Sequence, residues 1–127
     1  MKKKAYVIGS AVSKSMSPLI FNYWFAKTDI EADYTFAEVD EKKFDKEISK
    51  LLNEEGVCGI NVTIPFKETA FNNVTSVENY ALKIGAINCL TKSGSNWIGK
   101  NTDWLGFLKP LTNFKKDTNT KITKAIV

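Results

Sequence analysis

The sequence predicts an α/β domain with a mixed sheet that is mostly parallel. Short apolar runs that predict strands alternate with runs whose apolar residues have helical spacing. This alternation is typical of a parallel sheet covered by helices. The last two strand-like runs, AINCLT and NWIGK, are separated only by KSGS. That separation predicts a hairpin, which adds an antiparallel pair to the sheet.

Elements in the first half of the chain follow from apolar spacing and from the residues that begin or end them. Residues 5–9 are an apolar run stopped by glycine and predict a strand. Ser17 and Pro18 are typical of an N-cap and first helical position, and open a helix through LIFNYWFAK. Residues 33–39 alternate in polarity and predict the next strand, after which Asp40 caps a second helix. The apolar residues of that helix are Phe44, Ile48, Leu51 and Leu52.

The second half continues the alternation of strands and helices. Residues 57–64 predict a third strand, which Pro65 ends. A helix is expected from about residue 76 to residue 84, where Gly85 closes it. The hairpin follows, and residues 101–103 then lead into a helix in which Pro110 marks a break or kink.

Composition narrows the classes of protein and of site. The 127 residues carry a net charge of +4, with eighteen lysines and neither arginine nor histidine. Nucleic-acid binders usually combine arginine with aromatic residues on a basic stripe, so we expect no nucleic-acid partner. No apolar run approaches the roughly 20 residues of a membrane span, and we expect a cytoplasmic protein. Without histidine or clustered cysteines no metal site is expected, and Cys58 and Cys89 are predicted to be buried free thiols.

The stretch SKSMSP, residues 13–18, places serines at alternate positions just before a predicted helix. In extended backbone Ser15 and Ser17 lie on one face, about 6.5–7 Å apart, so their hydroxyls can each donate to one oxygen of a small carboxylate. Because the chain has no guanidinium group, an anion would have to be bound by hydroxyls, amides and lysine. The alternative is that Ser17 only caps the helix and Ser15 binds nothing.

A second polar cluster is NVTIPFKE, residues 61–68. Asn61 and Thr63 lie on one face of the predicted strand, and Lys67 follows at its carboxyl end. Ligands gather at that end of the strands in open α/β sheets. The alternative for Lys67 is an ordinary solvated surface lysine.

Two further stretches contain polar residues in unusual places: GAIN, residues 85–88, and NTD, residues 101–103. Asn88 lies in an apolar strand and is either satisfied by backbone or directed at a ligand. Asp103 or Thr102 could simply cap the following helix. An aspartate close to Lys67 would, however, form a pair suited to proton transfer.

In this order, SKSMSP, NVTIPFKE, GAIN and NTD resemble the substrate-binding domain of shikimate dehydrogenases, over residues 6–106. The family's counterparts read S-x-S-P, N-V-T-x-P-x-K, G-A-x-N-T and N-T-D. Members reduce 3-dehydroshikimate to shikimate with NADPH in the biosynthesis of aromatic amino acids. The resemblance implies a three-layer α/β sandwich with a mostly parallel, mixed sheet.

The resemblance also implies roles for individual side chains. Ser15 and Ser17 would hold the substrate carboxylate. Lys67 would be the catalytic acid and base, working with Asp103. The implied substrate-binding residues together are Ser15, Ser17, Thr63, Lys67, Asn88 and Asp103.

The resemblance further implies a domain organisation. Residues 1–113 would form the substrate domain, and residues 114–127 a linker and the first strand, KAIV, of a Rossmann domain that would follow. The chain contains no G-x-G-x-x-G fingerprint, so none of its residues is expected to bind NADP. We therefore expect a truncated chain that is inactive alone.

Other functions and an assembly remain open from the sequence. One alternative is a quinate/shikimate dehydrogenase that uses NAD, and another is a non-catalytic module that binds a hydroxylated carboxylic acid. Thr63 with the two upstream serines favours the shikimate-specific enzyme. Loss of a cofactor domain would expose apolar residues near Trp104, Phe107 and Leu108. We expect either a homodimer formed through the C-terminal segment or disorder of that segment.

Overall fold

A single mixed sheet with four α-helices makes up the domain in the computed structural model, which describes residues 2–118 and 120–124. The strands are β1 (Lys3–Gly9), β2 (Ala32–Glu38), β3 (Val57–Val62), β4 (Ser76–Val77), β5 (Cys89–Ser93) and β6 (Asn96–Lys100). The helices are α1 (Ser17–Lys27), α2 (Phe44–Asn53), α3 (Asn79–Ile84) and α4 (Asp103–Thr118).

The strands lie in the order β2-β1-β3-β5-β6-β4. The pairs β1–β2, β1–β3 and β4–β6 are parallel, while β3–β5 and β5–β6 are antiparallel. The prediction of a mostly parallel, mixed sheet is therefore confirmed, as is the hairpin between β5 and β6. Because β5 runs against β3, the start of β5 lies at the same edge of the sheet as the end of β3.

Helices cover both faces of the sheet, since neighbouring residues of β1 belong to separate apolar clusters. Ile8 packs in the larger cluster with Phe44 and Ile48 of α2. Val7 packs in the other cluster with Tyr34, against which Phe21 of α1 is placed. Successive side chains of a strand point to opposite faces, so α1 and α2 must lie on opposite sides. This arrangement is the expected three-layer sandwich.

Some predicted elements differ in extent. Ser76 and Val77, expected to open a helix, form β4 instead and pair with Ile98 and Gly99 of β6. The β-branched residues of this stretch fit an extended conformation. Helix α3 follows and ends at Gly85, whose φ of 77° is the left-handed conformation that glycine adopts readily.

The start of α2 also differs from the prediction. Asp40 does not cap the α-helix itself but precedes a 3-10 turn over Glu41–Lys43, which leads into α2. Its carboxylate makes no capping hydrogen bond. The Asp40 backbone carbonyl instead accepts a hydrogen bond from the Lys43 N–H at 2.9 Å. In the 3-10 turn, the Lys43 N–H is thus bonded to a backbone carbonyl rather than to the Asp40 side chain.

The C-terminal helix is longer than predicted. Helix α4 continues through Pro110 and reaches Thr118, so residues 114–118 are helical. The missing proline N–H is tolerated because this helix has no buried residue and water can reach its backbone. Of the expected strand KAIV, residues 125–127 lie outside the described residues.

Both cysteines are free, as predicted, but their burial differs. Cys89 is partly buried, and this burial raises the pKa of its thiol. Cys58 is exposed, contrary to the prediction of a buried thiol. It lies near the start of β3, where the pairing with β1 shifts register, and its Sγ lies 3.4 Å from the Lys4 carbonyl oxygen. None of the four helices in the described part of the chain combines the length and apolar character of a membrane span.

Gly9, the last residue of β1, permits close packing at the carboxyl edge of the sheet. A Cβ added there would lie 2.4 Å from the Thr63 Cγ2 atom and 2.6 Å from the Val12 Cγ1 atom. A Cβ on Gly106, within α4, would meet no atom within 4 Å.

We expect Gly9→Ala to lower the free energy of unfolding by about 1–3 kcal/mol, because Thr63 and Val12 must move. The matched variant Gly106→Ala should leave it unchanged or raise it, since alanine favours a helix interior over glycine. Urea unfolding of both variants and the parent chain measures these differences. Equal stability of Gly9→Ala and the parent chain would contradict the packing described.

Candidate functional site

A cleft of about 410 Å³ lies at the carboxyl ends of β1 and β3, beside the first turns of α1 and α4. All six residues predicted from the sequence to bind a substrate line this one cleft. Its lining residues are Val7, Ala11, Val12, Ser15, Ser17, Phe21, Asn61, Val62, Thr63, Lys67, Asn88 and Asp103. The aliphatic and aromatic members of the lining were not predicted, because apolar residues at strand and helix spacing give no sign of whether they face a core or a cleft.

The serine segment enters the cleft at the start of α1. Met16 occupies the N-cap position and Ser17 is the first helical residue, so Ser17 is not the N-cap. The Met16 side chain makes no capping hydrogen bond; instead, the Ser15 Oγ accepts a hydrogen bond from the Ser17 backbone N–H at 3.2 Å. Because the Ser17 hydroxyl is not used as a cap, it remains a donor on the wall of the cleft.

Glu38, at the end of β2, holds the loop that carries these serines. Its Oε2 accepts a hydrogen bond from the Ser13 backbone N–H at 2.9 Å. Hydrogen bonds from Ser13 favour the ionised carboxylate and lower the pKa of Glu38. The segment before α1 is therefore tied to the sheet as well as to the helix.

The end of β3 and the residue that follows it supply the floor of the cleft. Asn61 and Thr63 both line it, while the intervening Val62 also packs in the larger apolar cluster on the α2 side. The Asn61 Oδ1 accepts a hydrogen bond from the Tyr34 hydroxyl at 2.8 Å. The partner that a polar residue on a central strand requires therefore comes from β2.

Lys67 and Asp103 form an ion pair at the mouth of the cleft. The Lys67 Nζ lies 2.7 Å from the Asp103 Oδ2. The Lys67 side chain is 29% exposed and the Asp103 side chain 53%, so the pair is open to a molecule entering from solvent. The Ile87 backbone N–H donates to the Lys67 carbonyl oxygen at 2.7 Å and fixes the lysine backbone beside the GAIN stretch.

Asn88 joins the sheet to the first turn of α4. Its Nδ2 donates to the Asp103 Oδ1 at 2.7 Å and to the Thr102 Oγ1 at 3.0 Å, while its Oδ1 accepts from the Thr102 backbone N–H at 2.9 Å. Its backbone is bonded on both sides, to Lys100 and to Val62. The Asn88 side-chain amide is therefore not hydrogen-bonded to backbone groups alone. It also bonds the Asp103 carboxylate and orients it.

Asn101 lies beside the site, and its role as the cap of α4 was not predicted from the sequence. Its Oδ1 accepts hydrogen bonds from the Asp103 and Trp104 N–H groups at 3.0 and 3.4 Å, and its Nδ2 donates to the Ala86 carbonyl oxygen at 2.9 Å. Asn101, rather than Thr102 or Asp103, thus supplies the capping oxygen of α4. The asparagine two residues before a helical run was the available signal.

The chemistry available in the cleft is hydrogen bonding together with one ammonium group. Lys67 and Asp103 are the charged residues of the lining and have opposite signs. Serine and threonine hydroxyls and asparagine amides surround them, and this donor set suits a small ligand rich in oxygen atoms. Within the described residues, no three acidic, cysteine or histidine side chains form a group that could hold a metal ion.

Comparison with known proteins identifies relatives of this chain. The family model described as the shikimate dehydrogenase substrate binding domain matches residues 7–90. The NADP(+) shikimate dehydrogenase of Syntrophobacter fumaroxidans is 42% identical over 105 residues, which are 83% of this chain and 36% of that protein.

Solved structures agree with the family match. Shikimate dehydrogenase from Aquifex aeolicus superposes with a TM-score of 0.81 at 35% identity, over 88% of this chain and 42% of that one. The enzyme from Thermus thermophilus in complex with shikimate gives a TM-score of 0.78 at 26% identity, over 87% of this chain and 42% of that one. The chain thus spans about two fifths of the length of these relatives. By the match over residues 7–90 and the identity to these enzymes, the chain belongs to the shikimate dehydrogenase substrate-binding domain family.

Proposed function

We propose that the cleft binds shikimate and 3-dehydroshikimate, and that this domain is the substrate-binding part of an NADP-dependent shikimate dehydrogenase. One observation supports this most strongly. The six side chains that resemble the family's substrate contacts line a single cleft, in which the Lys67 ammonium lies 2.7 Å from the Asp103 carboxylate. The Thermus thermophilus relative, whose structure contains shikimate, supports the choice of ligand.

In this proposal the hydroxyls of Ser15 and Ser17 donate to the ligand carboxylate. The Ser17 hydroxyl is free of a capping role, and the Ser13–Glu38 hydrogen bond holds the segment in place. The chain has no arginine to compete for the carboxylate. Thr63 just after β3, Asn88 just before β5 and Asp103 at the start of α4 line the cleft and bind the ring hydroxyls.

Lys67 is the proton donor and acceptor in the proposed reaction. During reduction of the ketone, the ammonium gives a proton to the ring oxygen and stabilises the negative charge that develops there. During oxidation of the alcohol, the neutral amine takes that proton back. Asp103 keeps the Lys67 Nζ in place through the 2.7 Å ion pair, and Asn88 in turn fixes the Asp103 carboxylate.

The residues of this chain fit the substrate and do not fit the dinucleotide. NADPH supplies the hydride when it is bound, but the seven glycines include no G-x-G pair with which a loop could enclose its pyrophosphate. We therefore assign residues 1–113 to the substrate domain and propose that cofactor binding belongs to a separate domain. A cytoplasmic location is part of the same proposal.

A non-catalytic module that binds a hydroxylated carboxylic acid is the second candidate. The absence of a dinucleotide fingerprint from these 127 residues favours it for the isolated chain. A quinate/shikimate dehydrogenase is the remaining alternative. Parallel titrations with quinate and with shikimate distinguish it from a shikimate-specific enzyme.

Self-association through α4 is also proposed. The large apolar residues Leu105, Phe107 and Leu108 of α4 are 50%, 77% and 45% exposed, respectively, and could be covered by a second copy of the chain. Trp104 is half-buried because its ring stacks on Tyr80 with centroids 4.0 Å apart. Sedimentation of the chain as a dimer would support this assembly, and a monomer at all accessible concentrations would exclude it.

Ser17→Ala should weaken shikimate binding by about 10- to 100-fold, because a hydrogen bond to a charged carboxylate contributes about 1.5–3 kcal/mol. Isothermal titration calorimetry of the chain measures this change. Ser93→Ala, at the hairpin end of β5, is the matched control and should bind as the parent chain does. If the parent chain binds and Ser17→Ala binds equally well, the carboxylate assignment is wrong.

Asp103→Asn should weaken shikimate binding by about tenfold or more, because an amide cannot accept hydrogen bonds from both Asn88 and Lys67 through its two ends. The same calorimetric titration applies, with Asp117→Asn near the exposed end of α4 as control. Unchanged affinity in Asp103→Asn would remove Asp103 from the proposed site.

The 127-residue chain should form no NADPH when mixed with shikimate and NADP, since its sequence contains no G-x-G-x-x-G fingerprint for binding the dinucleotide. Absorbance of the reduced nicotinamide measures the reaction. Turnover by the chain alone would contradict the assignment of cofactor binding to a separate domain.

A further inference from the structure

Tyr34 lies behind the cleft rather than in it, and its position is fixed from several sides. Its side chain is only 4% exposed. The ring stacks on Phe21 with centroids 4.6 Å apart and planes within 9°. The Asn22 side chain exchanges two hydrogen bonds, each 2.8 Å long, with the Tyr34 backbone. The tyrosine ring is therefore held between α1 and the sheet.

The Tyr34 hydroxyl makes one buried polar contact, to the Asn61 side chain, and the neighbours of Asn61 set the direction of that bond. The Asn61 Nδ2 lies 3.4 Å from the Asn88 backbone carbonyl oxygen, which can only accept hydrogen bonds. The amide nitrogen must therefore face Asn88, and the amide oxygen must face Tyr34. The hydroxyl of Tyr34 is consequently the donor in the 2.8 Å bond.

Burial keeps Tyr34 in the state that this bond needs. Removal from water raises the pKa of the Tyr34 hydroxyl far above its usual value. The hydroxyl therefore retains its proton throughout the neutral and mildly alkaline range, and the Asn61 oxygen always faces a donor.

The Tyr34 hydrogen bond affects the cleft because its partner, Asn61, lines the cleft. Among the described residues, the Asn88 carbonyl oxygen accepts one hydrogen bond from the Asn61 Nδ2, which carries two hydrogens. Asn61 lines the cleft, so its second N–H is left for an oxygen atom of a ligand. If the amide were reversed, its oxygen would face the Asn88 carbonyl and the ligand would meet an acceptor instead of a donor.

We propose that Tyr34 is a positioning residue, which holds the amide of Asn61 so that its NH₂ group is presented to oxygen atoms of the bound ligand. The identity of that ligand rests on the proposed function. The role of Tyr34 itself rests on the hydrogen bonds among Tyr34, Asn61 and Asn88.

Tyr34→Phe removes the hydroxyl and keeps the ring that stacks on Phe21. We expect the side-chain NH₂ resonances of Asn61 to shift or broaden in ¹⁵N-labelled chain, and the Kd for shikimate to rise by about 3- to 10-fold. Tyr6→Phe is the matched control, because the Tyr6 hydroxyl contacts the Glu54 carboxylate at 3.2 Å and Tyr6 does not line the cleft. Unchanged Asn61 resonances in Tyr34→Phe would overturn the proposal.

A double-mutant cycle separates positioning from a general loss of stability. In an Asn61→Ala background, Tyr34→Phe should not weaken shikimate binding further, whereas an equal loss in both backgrounds would overturn the role. If the parent chain does not bind shikimate, the proposed function fails. The Asn61 resonances of the unliganded Tyr34→Phe chain then still decide the role of Tyr34.

Discussion

The buried amide of Asn88 is the interaction on which the site depends. It connects the start of β5 to the first turn of α4. Its nitrogen donates to the Asp103 carboxylate, and its oxygen accepts from the Thr102 backbone N–H. Its backbone carbonyl also accepts from Val62 at the end of β3. Because an unpaired amide at this depth would be costly, these hydrogen bonds favour the relative position of sheet and helix that satisfies the amide. Asp103 and hence Lys67 are placed as a result.

The same edge of the sheet brings together segments that are far apart in the chain. The carboxyl ends of β1 and β3 lie side by side because the two strands are parallel, and antiparallel β5 brings Asn88 to that edge from the other direction. Loops carry Ser15 and Lys67 from these strands into one cleft. Neutral hydrogen-bonding groups around one ion pair form a site suited to an oxygen-rich ligand, with the Lys67 ammonium held at its mouth.

Much of this architecture was predictable from the sequence. The hairpin and the helical spacing of α2 are local patterns, and the four polar motifs identified the six residues that meet in the cleft. The role of Tyr34 was not predictable, because it depends on Asn61, which lies 27 positions further along the chain. The Asn101 cap is local, and the asparagine two residues before the helical run could have indicated it. The exposure of Cys58 follows from a register shift between strands, which periodicity alone does not reveal. Pro110 indicated a break that did not form, since a proline can be accommodated in an exposed helix.

We propose above all that the cleft of this chain is a preformed site for shikimate. The most direct measurement is a titration of isotope-labelled chain with shikimate, followed by the backbone and side-chain resonances. If the cleft binds shikimate, saturable shifts should be concentrated at Ser15, Ser17, Thr63, Lys67, Asn88 and Asp103, with little change in α2 or the β5–β6 hairpin. No shift at saturating shikimate, or shifts confined to the exposed face of α4, would contradict it.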